Sequence, residues 1–565
     1  MTEEKRVTTA ARAAIRIPLD SLGDAVEALD ERLTRALAHV RGEIEAAGEA
    51  GGPGAAADRF QLQIYDLSFT RAELSAARAL LDYARNAMGA EHDDLAAGFA
   101  AAFIAEAVAN LRLRIGARAA DYGFTRESLD APFSGPIEAT LQHANSAATL
   151  EALGAQLLER DGDTGPVVLD DDKQMMRDTF RRFAEEVVMP RASEIHRKDL
   201  MIPDAIIDGV RELGCFGLSV PERFGGLLPD DREDSLGMIV ATEELSRGSL
   251  GAAGSLITRP EIMARALLEG GTEEQKRTWL PRIAAGDPLV AISVTEPNTG
   301  SDVAAVGLKA VRVDGGWQLN GAKTWCTFAG KAGVILVLAR TDPDPKAGHR
   351  GLSLFMVEKP STDGHTFDFE PPGGGQLSGR AIATLGYRGM HSFEMFYDDF
   401  FVPDSHVVGG EGGLGKGFYY QMRGFSGGRI QTAARATGLM QAAFEKAIVY
   451  ARDRKVFGQA VADYPLTRIK LARMAMQLMA ARLFSYDVGR MLDAGEGQME
   501  ASLVKLFACR AAEWVTREAL QIHGGMGYAE ETDVSRYWAD ARVLSIFEGA
   551  EETLALKVVG RALLA

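Results

Sequence analysis

The chain is 565 residues long, 46% hydrophobic and 25% charged, with a formal net charge of −17. Single hydrophobic cores stop growing at roughly 250–300 residues, so this length predicts several domains, and the composition is that of a globular protein rather than a disordered or fibrous one. The acidic balance opposes nucleic-acid binding, which relies on lysine and arginine against phosphate. No apolar stretch reaches the ~18–20 residues that cross a bilayer. The start, Met1-Thr2-Glu3-Glu4-Lys5-Arg6, lacks an apolar signal core. A cytoplasmic protein with no nucleic-acid and no membrane partner is therefore expected. Cys215, Cys326 and Cys509 are widely separated and odd in number, which fits a reducing compartment rather than a disulfide framework.

Leu22, Val26, Leu29, Leu33, Leu37 and Val40 recur at steps of three and four and predict a helix with one apolar face. Asp20 or Ser21, after Pro18, serves as its N-cap, and Gly51-Gly52-Pro53-Gly54 ends it. Further helices are predicted around Leu67 to Tyr83 and Leu95 to Ile115. His39, His92 and His143 have no partner at a metal-ligand spacing, and no metal is expected. This alanine-rich segment reads as a structural or assembly element without a catalytic constellation.

A polar boundary at Arg160-Asp161-Gly162-Asp163-Thr164-Gly165-Pro166 follows, after which helical period resumes through Met175, Phe180, Phe183 and Val187. From about residue 286 the pattern alternates instead. Val311 to Leu319 reads as a hairpin around Gly315-Gly316, and Val334 to Leu338, Leu352 to Val357 and Phe393 to Phe401 read as strands. Helices return from Gly417. The glycine run from Gly409 to Gly417 is not a dinucleotide loop, because no strand-turn-helix context surrounds it. The predicted domains are therefore 1–165, 166–285, 286–405 and 406–565.

Four segments carry chemistry: Val294-Thr295-Glu296-Pro297-Asn298-Thr299-Gly300-Ser301-Asp302-Val303; Asn320-Gly321-Ala322-Lys323-Thr324-Trp325-Cys326-Thr327; Arg454-Lys455-Val456-Phe457-Gly458 with Gln521-Ile522-His523-Gly524-Gly525-Met526-Gly527; and Ile546-Phe547-Glu548-Gly549. Read singly, they have plain alternatives: a turn, a core tryptophan, a charged helix face. Together, over residues 170 to 565, they resemble the acyl-CoA dehydrogenase family. The resemblance implies an α+β fold: a helical N-terminal domain, a middle β-barrel or sandwich and a C-terminal four-helix bundle, here preceded by an extra all-α extension.

It further implies FAD as cofactor. Ile292, Val294, Thr295, Gly300, Ser301, Trp325 and Thr327 would contact the flavin, and Ser301 also the CoA side. Arg454, Phe457, Gln521, Gly524 and Gly525 would serve the FAD of a neighbouring subunit, hence a homodimer. Glu548 would be the catalytic base, removing the α proton while hydride passes to flavin N5. Some members carry the base on the helix spanning Phe418 to Arg429, but Gly428 stands at that position here. An electron-transfer flavoprotein would be the electron acceptor. The pattern departs from the family at Tyr464-Pro465, Ala550 and Glu552, on the adenine side of the cofactor.

Phe418, Met422, Arg423, Arg429, Arg259 and Gly549 would line the acyl site. An arginine facing an apolar tunnel is costly unless it meets an anion, so Arg259 and Arg423 predict a terminal carboxylate, although arginines on solvated helix faces read equally well. With the long extension, this resembles the branch that oxidises methylsuccinyl-CoA to mesaconyl-CoA. Another short-chain, branched-chain or glutaryl-type dehydrogenase and an acyl-CoA oxidase stay open, and a DNA-associated flavoprotein is disfavoured by the acidic charge.

Overall fold

The structure, a computed structural model, describes residues 17–47, 57–86 and 93–565. The glycine break at Gly51 to Gly54, His92 and the opening Met1 to Arg6 lie outside the described residues. In chain order the main helices are α1 (Leu19–Ala47), α2 (Gln61–Asn86), α3 (Asp93–Arg114), α4 (Pro136–Ala144), α5 (Ala147–Glu159), α6 (Asp171–Phe183), α7 (Met189–Lys198), α8 (Asp204–Glu212), α9 (Ser235–Gly248), α10 (Thr258–Gly270) and α11 (Glu273–Ala284). Eight strands follow: β1 (Val290–Ser293), β2 (Lys309–Val313), β3 (Gly316–Thr327), β4 (Val334–Arg340), β5 (Leu352–Glu358), β6 (Thr366–Phe369), β7 (Gln376–Ala381) and β8 (Ser392–Pro403). Then come α12 (Gly417–Asp453), the two-residue strands β9 (Lys455–Val456) and β10 (Gln459–Ala460), α13 (Pro465–Asp493), α14 (Gln498–Ile522) and α15 (Asp533–Leu544).

The chain divides into two compact units, and α12 contributes to both, with the division after Gly438. One unit combines residues 1–170 with 439–491 and 496–565. In it the α1 stripe is buried as the period predicts, through Leu22, Val26, Leu29, Leu33 and Val40. Leu37 is half-buried and Ala36 takes the interior position. Helix α3 is apolar on nearly all sides and, contrary to the sequence reading, is long and apolar enough to cross a bilayer. Yet 72% of that stretch is buried inside the protein, as a core helix is.

Within this unit the N-terminal segment packs on the C-terminal helices. Ser68 Oγ donates to Ala555 O at 2.9 Å, and Phe103 meets Phe507 edge-on at 5.5 Å. A Cβ on Gly154 of α5 would lie 2.1 Å from the backbone oxygen of Arg468 in α13. Gly154→Val is therefore expected to force the two helices apart and cost about 1–3 kcal/mol. A lower denaturant midpoint at unchanged slope checks it.

The other unit comprises residues 171–438 and 492–495. Its eight strands form one sheet in the order β1-β4-β2-β3-β8-β7-β6, with β5 on β4. The predicted hairpin is present, with Val311 opposite Gln318 and Val313 opposite Gly316. Most pairings are antiparallel, but β1 lies parallel to β4, Val290 against Val334. Every residue of β4 before Arg340 is buried, because both faces of the strand are covered. Ile335, Val337 and Ala339 enter one core with Phe355 and Phe393. Val334, Leu336 and Leu338 enter a second, with Met263 and Leu267 of α10 and Leu280 of α11. Phe418, at the start of α12, packs half-buried on that second core.

The candidate active site

Two of the motifs meet where the chain leaving β1 reaches β3. Thr295 follows β1, and Thr324 N in β3 donates to Thr295 O at 2.9 Å. The Lys323 ammonium, with no exposed surface, donates to Val294 O and to Glu296 Oε1, both at 2.8 Å. Burial pushes the Lys323 proton affinity down, against the pull of Glu296. Glu296 also accepts from the amides of Gly307 and Leu308, at 2.8 Å each. One buried cation thus ties the Val294–Glu296 segment to the strand carrying Trp325.

Trp325 adopts φ +58°, a conformation that bulky residues rarely take, and is 55% exposed. Thr327, two residues on, is anchored by Ser392 through an Oγ–Oγ contact of 2.9 Å. An exposed indole held in a strained conformation between two anchored neighbours is a preformed platform for a flat ring. A Cβ on Gly300 would meet no atom within 4 Å, so the backbone there is open to close approach. Ile292 and Thr295 are half-buried, Val294 is buried and Ser301 is exposed. These residues fit a flavin.

The helical part of this unit brings α10 against α12. A Cβ on Gly424 would lie 2.8 Å from Ile262 O, so the glycine permits the close approach. Gln431 and Thr258 bond across the gap, Thr258 Oγ1 donating to Gln431 Oε1 at 2.6 Å. Glu261 is taken up by Arg265, whose Nε donates at 2.8 Å, and by Gln431 Nε2. Burial raises the Glu261 proton affinity while Arg265 opposes it.

Arg259 is left outside that network. It is 6% exposed, and its Nη1 donates to Ser255 O at 3.2 Å. It has no ion-pair partner among the described residues. The Ser255 hydroxyl beside it, and both amide atoms of Gln421, are buried without hydrogen-bond partners among the described residues. A buried cation in the first turn of a helix faces the positive end of the dipole as well as the loss of water, so the arrangement favours an incoming anion. Arg423 is exposed, while Arg429, Met422 and Phe418 are half-buried. Gly428 is buried and offers no carboxylate.

The remaining motifs lie in the other unit. Glu548 is half-buried at φ +54°, followed by Gly549 at φ +103°. Lys505 of α14, 1% exposed, donates to Phe547 O at 2.7 Å and also to Gly549 O. Arg454 is exposed, without an ion-pair partner among the described residues. Phe457, at the tip between β9 and β10, is fully exposed at φ +50°. Gln521, Gly524 and Gly525 are exposed, and nothing lies within 4 Å of a Cβ on either glycine. Lys505, Lys323 and Ser255 were not singled out by the sequence reading for these roles. A lysine in the middle of the alanine-rich helical run from Ala501 to Ala512 is the one local signal for Lys505.

Sequence profiles of the acyl-CoA dehydrogenase N-terminal, middle and C-terminal domains match residues 170–287, 291–400 and 415–564. A (2S)-methylsuccinyl-CoA dehydrogenase of Cereibacter sphaeroides is 43% identical over 432 residues, 76% of each chain. A mitochondrial 2-methylacyl-CoA dehydrogenase of Solanum tuberosum is 34% identical over 70% of this chain and 92% of its own. Among solved structures, butyryl-CoA dehydrogenase from Megasphaera elsdenii superposes with a TM-score of 0.64 at 32% identity, covering 71% of this chain and all of that one. With profiles of all three domains matched and relatives above 30% identity over more than two thirds of their length, this chain is an oxidoreductase belonging to the acyl-CoA dehydrogenase family.

Proposed function

We propose that the protein is an FAD-dependent dehydrogenase of a CoA thioester bearing a terminal carboxylate, converting (2S)-methylsuccinyl-CoA to mesaconyl-CoA. The observation that carries the substrate class is Arg259, buried and, among the described residues, without an ion-pair partner, beside a Ser255 hydroxyl likewise unpartnered there. The 43% identity to a methylsuccinyl-CoA dehydrogenase agrees with it.

Glu548 takes the α proton on its carboxylate, and its backbone amide donates to the thioester oxygen, where enolate charge gathers. Trp325 and Thr327 hold the cofactor ring, Thr295 and Ser301 its edge and the CoA side. Bound FAD supplies the two-electron acceptor for the hydride leaving the β carbon. The proton and the hydride leave adjacent carbons, so the product is the α,β-unsaturated thioester. An electron-transfer flavoprotein then receives the electrons.

The exposed Phe457 tip with Arg454, Gln521, Gly524 and Gly525 suits a homodimer in which these groups serve the partner's cofactor. The N-terminal segment, packed on α13 and α14, suits the same assembly.

The test is anaerobic titration of the flavin-loaded enzyme with methylsuccinyl-CoA, glutaryl-CoA and butyryl-CoA. Bleaching by methylsuccinyl-CoA alone is expected. Equal bleaching by butyryl-CoA removes the carboxylate reading but keeps the reaction, and no bleaching by any of the three removes the reaction.

A further inference from the structure

The loop carrying Glu548 is fastened along one face of α14. Lys505, Cys509 and Glu513 are spaced by four and so share a face of the helix. Glu513 Oε1 accepts from the Ser545 hydroxyl, and Cys509 Sγ donates to Leu544 O at 3.3 Å. Lys505 Nζ donates to the carbonyls on either side of Glu548, those of Phe547 and Gly549. Three successive turns of one helix therefore hold residues 544 to 549.

The ammonium does more than fasten the loop. The Phe547 carbonyl and the Glu548 N–H belong to one planar trans peptide, in which C=O and N–H point in opposite directions. With the carbonyl turned to Lys505, the Glu548 N–H is turned away from it. That N–H has no hydrogen-bond partner among the described residues. An amide whose oxygen already accepts from a buried cation is polarised and becomes a stronger donor, because hydrogen bonds in a chain reinforce one another at low dielectric. The second bond, to Gly549 O, fixes the peptide that follows Gly549, so the two bonds bracket Glu548, whose left-handed conformation costs a residue with a Cβ on the order of 1–3 kcal/mol.

We infer that Lys505 is a positioning residue for the reaction: its ammonium aims and strengthens the Glu548 amide as the donor to the thioester oxygen. The inference rests on the proposed role of Glu548, and its readout is separate from that role.

The experiment is vibrational difference spectroscopy of mesaconyl-CoA, labelled with carbon-13 at the thioester carbonyl, bound to the oxidised flavin-loaded enzyme. In the wild type the carbonyl stretch is expected below its solution frequency. In Lys505→Met it is expected to move back toward that frequency. kcat should fall about 10- to 100-fold, short of the ~10²–10³ that loss of an oxyanion donor itself produces. KM should stay within about threefold, because the interaction develops with the enolate charge. Glu548→Gln keeps its amide and should keep the wild-type band while losing turnover. Full turnover by Glu548→Gln would remove the base assignment, and the band would still report on the amide.

A wild-type band in Lys505→Met overturns the inference. If methionine is not tolerated, Lys505→Arg is measured. The longer, planar guanidinium meets the two carbonyls in a different geometry from the compact ammonium, so a displaced band is expected. A wild-type band together with wild-type kcat overturns the proposal there too.

Discussion

Glu548→Gln is expected to lower kcat by about 10²- to 10⁴-fold, the usual contribution of a positioned general base, while flavin content and folding stay at the wild-type level. The side chain keeps its shape and loses only the basic oxygen, so cofactor binding, which draws on other residues, has no reason to change. A companion variant separates chemistry from stability. Glu548 sits at φ +54° with a full side chain, and glycine would occupy that conformation without strain. Glu548→Gly should therefore lose turnover as completely as the glutamine variant and yet melt higher, because relief of about 1–3 kcal/mol of strain exceeds the ~0.4–1 kcal/mol of added unfolded-chain entropy. Full activity in Glu548→Gln, measured with the natural electron acceptor, would move the base elsewhere. Gly428 would not be that place, since it has no side chain.

The second large effect is expected at Arg259. Replacing it with methionine keeps much of the volume and removes the charge. If the guanidinium receives the substrate carboxylate in a dry site, kcat/KM for methylsuccinyl-CoA should fall roughly 30- to 4,000-fold, equivalent to about 2–5 kcal/mol. Activity on butyryl-CoA should hold or rise, because the cost of leaving the cation unpaired is gone. The substrate-free protein should become more stable at the same time, since an unpaired buried charge is traded for apolar packing. Opposite signs in activity and melting temperature mark a binding residue; a fall in both marks a structural arginine. Arg423→Met should change neither quantity by much, because that side chain is exposed.

Much of this was legible in the sequence, and the exceptions have physical causes. The α1 stripe and the β2–β3 hairpin were readable because each obeys a single period, 3.6 or 2, over enough residues to be distinctive. The Thr295, Trp325 and Glu548 segments were readable because their residues are contiguous. The two arginines on the acyl-site helices could not be told apart. Around Arg423 the run Met422-Arg423-Gly424-Phe425-Ser426-Gly427-Gly428 is glycine-rich, so no apolar stripe fixes which face is buried. Arg259 precedes a proline and a glutamate, and the obvious pairing with Glu261 is absent because Arg265 and Gln431 take that carboxylate instead. Lys505 was invisible for a different reason. Its partners are backbone carbonyls more than 40 residues away, and backbone acceptors leave no trace in residue type. The parallel pairing of β1 with β4 was likewise hidden, since a strand of four residues carries no information about its neighbour's direction.

Strand β4 sends alternate side chains into two separate interiors, Ile335, Val337 and Ala339 one way and Val334, Leu336 and Leu338 the other. A deletion or insertion of one residue there would exchange the two sets, because side-chain direction repeats every second residue. All six are apolar, so hydropathy would hardly register the swap, but the volumes would be wrong on both sides at once. Changes of chain length in this domain are therefore expected in its connections, such as the turn at Pro345–Gly351 between β4 and β5, and an alignment of relatives should place no gap inside β4.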